Sequence, residues 1–312
     1  MTTITAPDGT PAARFAFGTM QFGAKADETA SAAMFDAALT AGINHFDTAH
    51  LYAGGHSEQI LGPLAAPHRD RLVIATKVGY RDGTTPAQLR ADFDLSRRRL
   101  GLEVIDILYL HRFDQETLLQ DQLETLATLR DEGGIRFIGV LNFATWQVMK
   151  AQVLPSAMGH RVDIIQPMYS QVKRQAEVEL LPRCAAEAIA CAPYSPLGGG
   201  LLTGKYAENA ATGRLTEDPR YGARYATAFM HDAAAGLMRI AAELGCHPAT
   251  LAAAWAAAHP AGPTPILSAS APDQLAPSLA ALGFEINAAL YPRLAALTPA
   301  PPPATGRIEE TA

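Results

Sequence analysis

Residues 17–23 read "FGTMQFG" and close the first apolar run of the chain. The turn after a first strand separates two α/β architectures. A doubly wound nucleotide-binding sheet carries G-x-G-x-x-G there, because its glycines make the tight turn and let the backbone approach a pyrophosphate. Here four residues separate Gly18 from Gly23, and the stretch does not match. That favours the other architecture, a (β/α)8 TIM barrel formed as a single domain.

Outward from this stretch, eight short apolar or β-branched runs recur at residues 14–20, 43–47, 72–77, 105–111, 136–141, 163–167, 188–194 and 264–268. Between them, residues 28–41, 86–100, 116–130, 145–154, 176–186 and 248–258 repeat apolar side chains at spacings of three and four, the helical period. Pro86, Pro248 and Pro272 suit first turns of helices, and Thr145 suits an N-cap. Residues 188–194 are poor strand material because of their alanines and Pro193, so their place in the alternation carries that assignment. Residues 206–230 are too long and irregular for an ordinary connection and read as a functional or mobile loop. The barrel is expected over residues 1–298. Residues 299–312, rich in Pro and Ala and then acidic, read as a disordered tail.

The 312 residues are 48% hydrophobic and 18% charged, ample for a large core. A net charge of −6 without a block of Lys or Arg argues against nucleic acid or anionic membrane as partners. The run Arg97-Arg98-Arg99 reads as a solvated helix face. Cys184, Cys191 and Cys246 show no metal spacing and suit free, mostly buried thiols in a reducing compartment. The first residues, "MTTITAPDGTPAARF", show no secretory pattern, and no window of about 18 apolar residues occurs, so a cytoplasmic protein, full-length at its start, is expected.

Active sites of such barrels lie at the carboxyl ends of the strands. There the sequence places Asp47, Lys77, His111, Asn142, Gln166 and Tyr194, with Tyr52 just beyond the second run. Singly each has an ordinary reading: a helix cap for Asp47, a solvated strand end for Lys77, a half-buried aromatic for Tyr52, loop polarity for His111. Gathered at one face they describe proton-transfer chemistry. A free phenol titrates near 10, and a neighbouring ammonium lowers that value. Asp47 would keep the lysine charged and in place. Tyr52 could then protonate a carbonyl oxygen while hydride reaches the carbon, with His111 orienting that oxygen. A nicotinamide cofactor is the natural hydride source.

A metal hydrolase is the rival enzyme class, since His45 and Asp47 share a strand face and His50 and His56 are near. No other strand end supplies a second histidine pair, and Lys77 would compete for Asp47, so no metal is expected. A non-catalytic nucleotide-binding regulatory barrel is the other rival, and the complete set of four residues speaks against it.

"FDTAHLYAGGHSEQILG", "IATKVGY", "IDILYLHRFD", "IGVLNF", "QPMYSQVKRQAEVELLP" and "YSPLGGGLLTGKY" resemble, in order and spacing, the motifs of the aldo-keto reductases, from about residue 17 to 282. "FGTMQFG", "RQAEVELLP" and "GGGLLTGKY" are similar to the branch that holds the aflatoxin-aldehyde reductases and related bacterial enzymes. The resemblance implies NADPH-dependent reduction of aldehydes or ketones by a monomer or loose oligomer. It makes Tyr52 the general acid, tuned by Lys77 and Asp47, with His111 positioning the substrate. Asn142 and Gln166 match the residues that hold the nicotinamide carboxamide, and Tyr194 the aromatic under the ring. Gly18, Thr19, Met20 and Asp47 are implied to border the cofactor. Ser195, Leu197, Gly199, Gly200, Leu201, Gly204 and Lys205 match the pyrophosphate segment, where glycines admit close backbone approach and Lys205 adds a point charge. Ser268, Ser270, Gln274 and Ser278 match the adenosine segment.

Two departures stand out. The usual G-V-S-N is Gly139-Val140-Leu141-Asn142, so a serine hydroxyl near the carboxamide is replaced by an apolar side chain. Residues 268–278 contain no Lys or Arg, and a 2′-phosphate there loses charge-assisted hydrogen bonds worth roughly 1.5–3 kcal/mol each. Either Arg220 or Arg224 supplies the charge or the enzyme accepts NADH; NADP(H) is the family's common choice. Met20, Phe22, Tyr80 and Phe113 are candidate walls of a partly aromatic pocket, each of which could equally be core. The expected substrate is a small carbonyl compound or alcohol.

Overall fold

In the computed structural model, which describes residues 2–156, 159–207, 212–307 and 309, Phe17 and Gly18 lie in a sheet and residues 19–23 turn beyond its edge. Phe17 and Gly18 pair with Phe46 and Asp47, while Ala16 and Phe17 pair with Ile266 and Leu267 from the far end of the chain. The strands are β1 (Ala16–Gly18), β2 (His45–Asp47), β3 (Val73–Val78), β4 (Ile105–Leu110), β5 (Ile135–Leu141), β6 (Ile164–Gln166), β7 (Ala190–Cys191) and β8 (Ile266–Leu267). All pair in parallel, in the order β7-β6-β5-β4-β3-β2-β1-β8. The open edges meet: Thr264 N–H donates to Cys191 O at 2.8 Å and Ile266 N–H to Pro193 O at 2.9 Å. The eight strands therefore close into a (β/α)8 barrel.

Parallel strands buried on both faces need apolar side chains on both. Val73, Ala75, Ile107, Tyr109, Leu141, Ile164, Ala192 and Ile266 fill the interior. Ile74, Leu108, Ile138, Val140 and Ile165 point outward into the helical layer. Gly139 is a glycine because the ring of Tyr109 lies where its side chain would project.

The helices are α1 (Glu28–Thr40), α2 (His56–Ala65), α3 (Pro86–Leu100), α4 (Leu119–Asp131), α5 (Thr145–Ser156), α6 (Leu180–Ala186), α7 (Arg214–Glu217), α8 (Pro219–Arg224), α9 (Ala228–Glu243), α10 (Pro248–Ala257), α11 (Ala276–Leu279) and α12 (Leu290–Ala295). Several differ from the periodic reading. α4 starts three residues later than expected, because Asp114 turns the backbone first. Its carboxylate accepts from the N–H groups of Gly83, Thr84, Glu116 and Thr117 and from Gln122 Nε2. Burial pushes the Asp114 carboxyl up, yet those four backbone donors hold it down to about 2. Thr145 is the first helical residue rather than the cap, and Gln147 Oε1 reaches back to accept from Ala144 N–H. The expected helix over 176–186 is split: Glu177, held by Arg174 and by the hydroxyl of Tyr169, ends a separate 3-10 turn before α6.

The expected loop 206–230 contains α7, α8 and the start of α9; its residues 208–211 lie outside the described residues. Residues 299–307 run without helix or strand, and 308 and 310–312 of the expected tail also lie outside them. Among the described residues no helix is long and apolar enough to cross a membrane.

The amino-terminal end of the barrel is stoppered. Ile4 and Ala6 join the interior cluster on a turn bridged from Thr5 to Pro11. Arg136 holds that turn through Ala6 O, at 3.2 Å, and Thr5 Oγ1, at 3.1 Å. Its other partner is Asp106, wholly buried in β4, which also takes Arg69 at 2.8 Å and Ile74 N–H at 2.8 Å. Asp106→Ala leaves two guanidiniums without a counter-charge, so the urea midpoint is expected to fall by the equivalent of about 3 kcal/mol. A loss below about 1 kcal/mol would show that this clamp does not hold the stopper.

Candidate active site

The parallel register sets Asp47 beside Ala75, and Lys77 comes two residues later on the same face, so both side chains enter the open mouth of the barrel. Lys77 Nζ donates to Asp47 Oδ2 at 2.5 Å and to Thr48 O at 2.6 Å. Gln166 reaches across from β6, and its Nε2 donates to Asp47 Oδ1 at 2.9 Å. Both carboxylate oxygens are thus occupied, and Lys77 is wholly buried.

Beyond β2 the chain stays tied to β3, with Thr48 N–H on Ala75 O and His50 N–H on Lys77 O. It then turns at Tyr52 through three successive left-handed residues, Ala53 (φ 50°), Gly54 (φ 67°) and Gly55 (φ 102°), into α2. The turn leaves Tyr52 half-buried with its ring centroid 4.9 Å from Lys77 Nζ. His111, whose N–H donates to Val78 O, stands edge-on to Tyr52 at 6.0 Å and to Tyr80 at 5.0 Å. The structure therefore brings together Asp47, Tyr52, Lys77 and His111.

The electrostatics differ from the expectation in one respect. Tyr52 is pushed well above the usual phenol value by burial, then by the Asp47 carboxylate and Tyr221, with Arg214 acting in the opposite sense. The net direction is opposite to the lowering expected from the nearby ammonium. Burial lowers Lys77 from its usual value, against the pull of Asp47. His111 is pushed down to about 3, by burial and then by Lys77, and its buried Nδ1 has no hydrogen-bond partner among the described residues.

The cofactor-matched residues divide. Asn142, at φ 57°, accepts from the Tyr194 hydroxyl at 2.7 Å through Oδ1, while its Nδ2 donates to His111 O at 3.4 Å. Tyr194 extends the β7 pairing, its N–H donating to Pro167 O. Ser195, Gly198, Gly199, Gly200 and Gly204 all have positive φ, forming a tightly wound segment after it. Gly199 lies under Leu215, Tyr221 and Tyr225, and Lys205 stacks 4.8 Å over Tyr206. Leu197 is half-buried and Leu201 buried in the core.

At β1, Gly18 passes close to Ile266, Met20 is half-buried, and Thr19 is buried with its hydroxyl 2.9 Å from Ser57 Oγ. In the adenosine-matched segment Ser268 is exposed and Ser270 donates to Gln274 Oε1 at 2.8 Å, whereas Ser278 is buried. Arg220 is held by Asp218 at 2.8 Å and Arg224 stacks on Tyr221. Among the described residues, no hydrogen bond or ion pair joins either to residues 268–278. Instead α7 and α8 border Tyr52 and the glycine segment, and Glu217 pairs with Lys25 from the loop after β1.

The histidines of the second strand disperse. His45 points into the barrel, His50 lies against Ser96 and Asp92 on α3, and His56 is exposed and bound to Ala53 O. Among the described residues, no group of three or more His, Cys, Asp and Glu is placed to hold a metal ion. Of the expected pocket walls, Phe22 is core, Tyr80 is 49% exposed beside His111, and Phe113 packs between Phe143 and Trp146. Trp146, 60% exposed at the start of α5, was missed; its only sequence signal is its place four residues beyond Asn142. Arg112, next to His111, pairs with Asp82 and lies over Tyr80. The basic run on α3 is not uniformly solvated: Arg98 is exposed, Arg97 pairs with Glu103, and Arg99 turns inward.

A barrel whose mouth holds a buried lysine–aspartate pair beneath a tyrosine and beside a histidine has the site layout implied for the family that the sequence resembles. The chain belongs to the aldo/keto reductase family, whose pattern matches residues 14–298. It is 36% identical to aflatoxin B1 aldehyde reductase member 2 of Rattus norvegicus over 211 residues, which is 66% of this chain and 58% of that protein. The match thus takes in little more than half of that relative's length. It is 29% identical to the uncharacterized oxidoreductase YrpG of Bacillus subtilis over 94% of both chains. Among solved structures it is similar to the glycerol dehydrogenase AKR11B4 of Gluconobacter oxydans, with a TM-score of 0.81, 27% identity and coverage of 95% and 94%.

Burial also lowers His45 to about 4, so both imidazoles stay neutral in the folded chain. An unfolded chain protonates its histidines near 6.5. Between about 6.5 and 4 it binds more protons than the folded chain, and stability falls as pH drops through that window. Tm should therefore be lower at pH 5.0 than at pH 7.5, and His45→Gln should remove part of the difference. Equal Tm values at the two pH values would contradict the neutral, buried state of these rings.

Proposed function

We propose that this chain reduces an aldehyde or ketone to the alcohol with NAD(P)H, residues 1–298 acting as one barrel domain. The observation that carries this reading is the buried Lys77–Asp47 pair lying 4.9 Å from the ring of Tyr52, with His111 at that ring's edge. The names of two relatives, an aldehyde reductase and a glycerol dehydrogenase, support a carbonyl/alcohol pair as the substrate class.

The opposite sector suits a nicotinamide dinucleotide. Tyr194 and Asn142 stand beside Gln166, the left-handed segment after Tyr194 offers closely approachable backbone, and Ser268 and Ser270 present hydroxyls. When bound, the cofactor supplies the hydride. Tyr52 keeps its proton at neutral pH and donates it to the carbonyl oxygen. His111, neutral, hydrogen-bonds the same oxygen and fixes its direction. Lys77 holds its place through Asp47 and Thr48 O.

Tyr52→Phe removes the proton and leaves the ring, so kcat should fall by roughly 10²–10⁴-fold while cofactor Kd, read by fluorescence titration, stays the same. Full turnover in that variant would overturn the assignment. Because Tyr52 stays protonated and His111 neutral, kcat/KM for reduction should be level from about pH 6 to 9. NADPH is the first cofactor to test and NADH the second. With no guanidinium or ammonium in 268–278, the preference for NADPH should be less than about tenfold.

A further inference from the structure

We infer that Arg99 is a positioning residue for Tyr52, acting from outside the barrel wall; the role of Tyr52 itself rests on the function proposed above. Arg99 lies near the end of α3 and Tyr52 lies 47 residues earlier, on the turn between β2 and α2. One guanidinium spans that turn. Arg99 Nη1 donates to His50 O at 2.9 Å, two residues before the tyrosine, and Nη2 to Gly54 O at 3.4 Å, two residues after it. Nη1 also faces Glu58 Oε2 at 3.4 Å.

The partner carboxylate makes the contact directional. Glu58 is wholly buried on the first turn of α2, and its other oxygen accepts from Thr76 Oγ1 at 2.6 Å. Thr76 immediately precedes Lys77 in β3. Arg99, 18% exposed, thus links the tyrosine's turn to the strand that carries the lysine. A planar fork with several fixed donors can meet two carbonyls and a carboxylate at once; an ammonium cannot hold all three in that plane.

The turn needs such a brace. Ala53 sits at φ 50°, a conformation that crowds the Cβ of an L-residue, and two further left-handed residues come after it. Gly55 packs directly on the guanidinium, where any side chain would displace it. Gly62 lets α2 lie against the backbone of α3 at Leu100, which brings Arg99 within reach of the turn. A misplacement of about 1 Å at a reacting group is enough to cost roughly a hundredfold in rate.

The test combines hydrogen exchange with kinetics on the full chain, using Arg99→Met and Arg99→Lys. Exchange of the amides over residues 50–55 is expected to quicken at least about tenfold in Arg99→Met, with the strands unchanged. For aldehyde reduction kcat should fall roughly 10–100-fold, cofactor Kd should stay within about twofold, and the deuterium isotope effect on kcat from 4-deuterated cofactor should rise. Arg99→Lys should restore stability against Glu58 and not kcat. If Arg99→Met does not fold, Gly55→Ala should show the same quickened exchange, lowered kcat and raised isotope effect. Unchanged exchange, full rescue by lysine, or a kcat loss that only tracks the folded fraction with an unchanged isotope effect would each overturn the role of Arg99. Exchange reads the turn whether or not carbonyls are reduced: a loosened turn in a chain whose wild type reduces no carbonyl counts against the proposed function alone.

Discussion

An ammonium and a carboxylate lie out of water at the mouth of the barrel, and much of the architecture around the site serves to make that tolerable. Removing two charges from solvent costs several kcal/mol per ion unless geometry and extra hydrogen bonds compensate. Lys77 and Asp47 meet at 2.5 Å, and Thr48 O and Gln166 Nε2 take up the remaining donor and acceptor capacity. Those partners come from β2, β3 and β6, so three strands must end at matching heights. The parallel register and the stopper at the other end of the barrel hold them there.

The same pair governs its neighbours. The phenol of Tyr52 faces burial and the Asp47 carboxylate, both of which raise it, and it holds its proton. His111 meets burial and an ammonium, and it refuses one. Tyr52 and His111 are thus separated in protonation by their surroundings, and neither titrates near neutrality.

The clustering of Asp47, Lys77 and His111 was legible because each closes an apolar run, and parallel strands in a barrel bring such ends to one face. Lys77 and His111 could be placed without any knowledge of side-chain contacts. The supports were not legible for the same kind of reason. Arg99 stands in a run of three arginines, and nothing local distinguishes the one that turns inward; its partners lie 41 to 49 residues away. α9 and α10 are alanine-rich, which blurs periodic contrast, and of the two only α10 was expected. Ser278 matched a motif position, yet the short helix α11 carries it inward. β7, with alanines and a proline just beyond it, is a strand because its neighbours supply the ladder.

The closure of the barrel has a mechanical consequence. β3, β4 and β5 are six or seven residues long and share extended ladders, whereas β7 and β8 are two residues each, and the seam between them rests on two backbone hydrogen bonds. Short ladders open at lower free energy than long ones. The barrel is therefore stiff on the side of Lys77 and His111 and compliant on the side of Tyr194 and Ser268. Strain in the barrel is taken up first beside the left-handed segment after Tyr194, while the ladders that carry Lys77 and His111 keep their register.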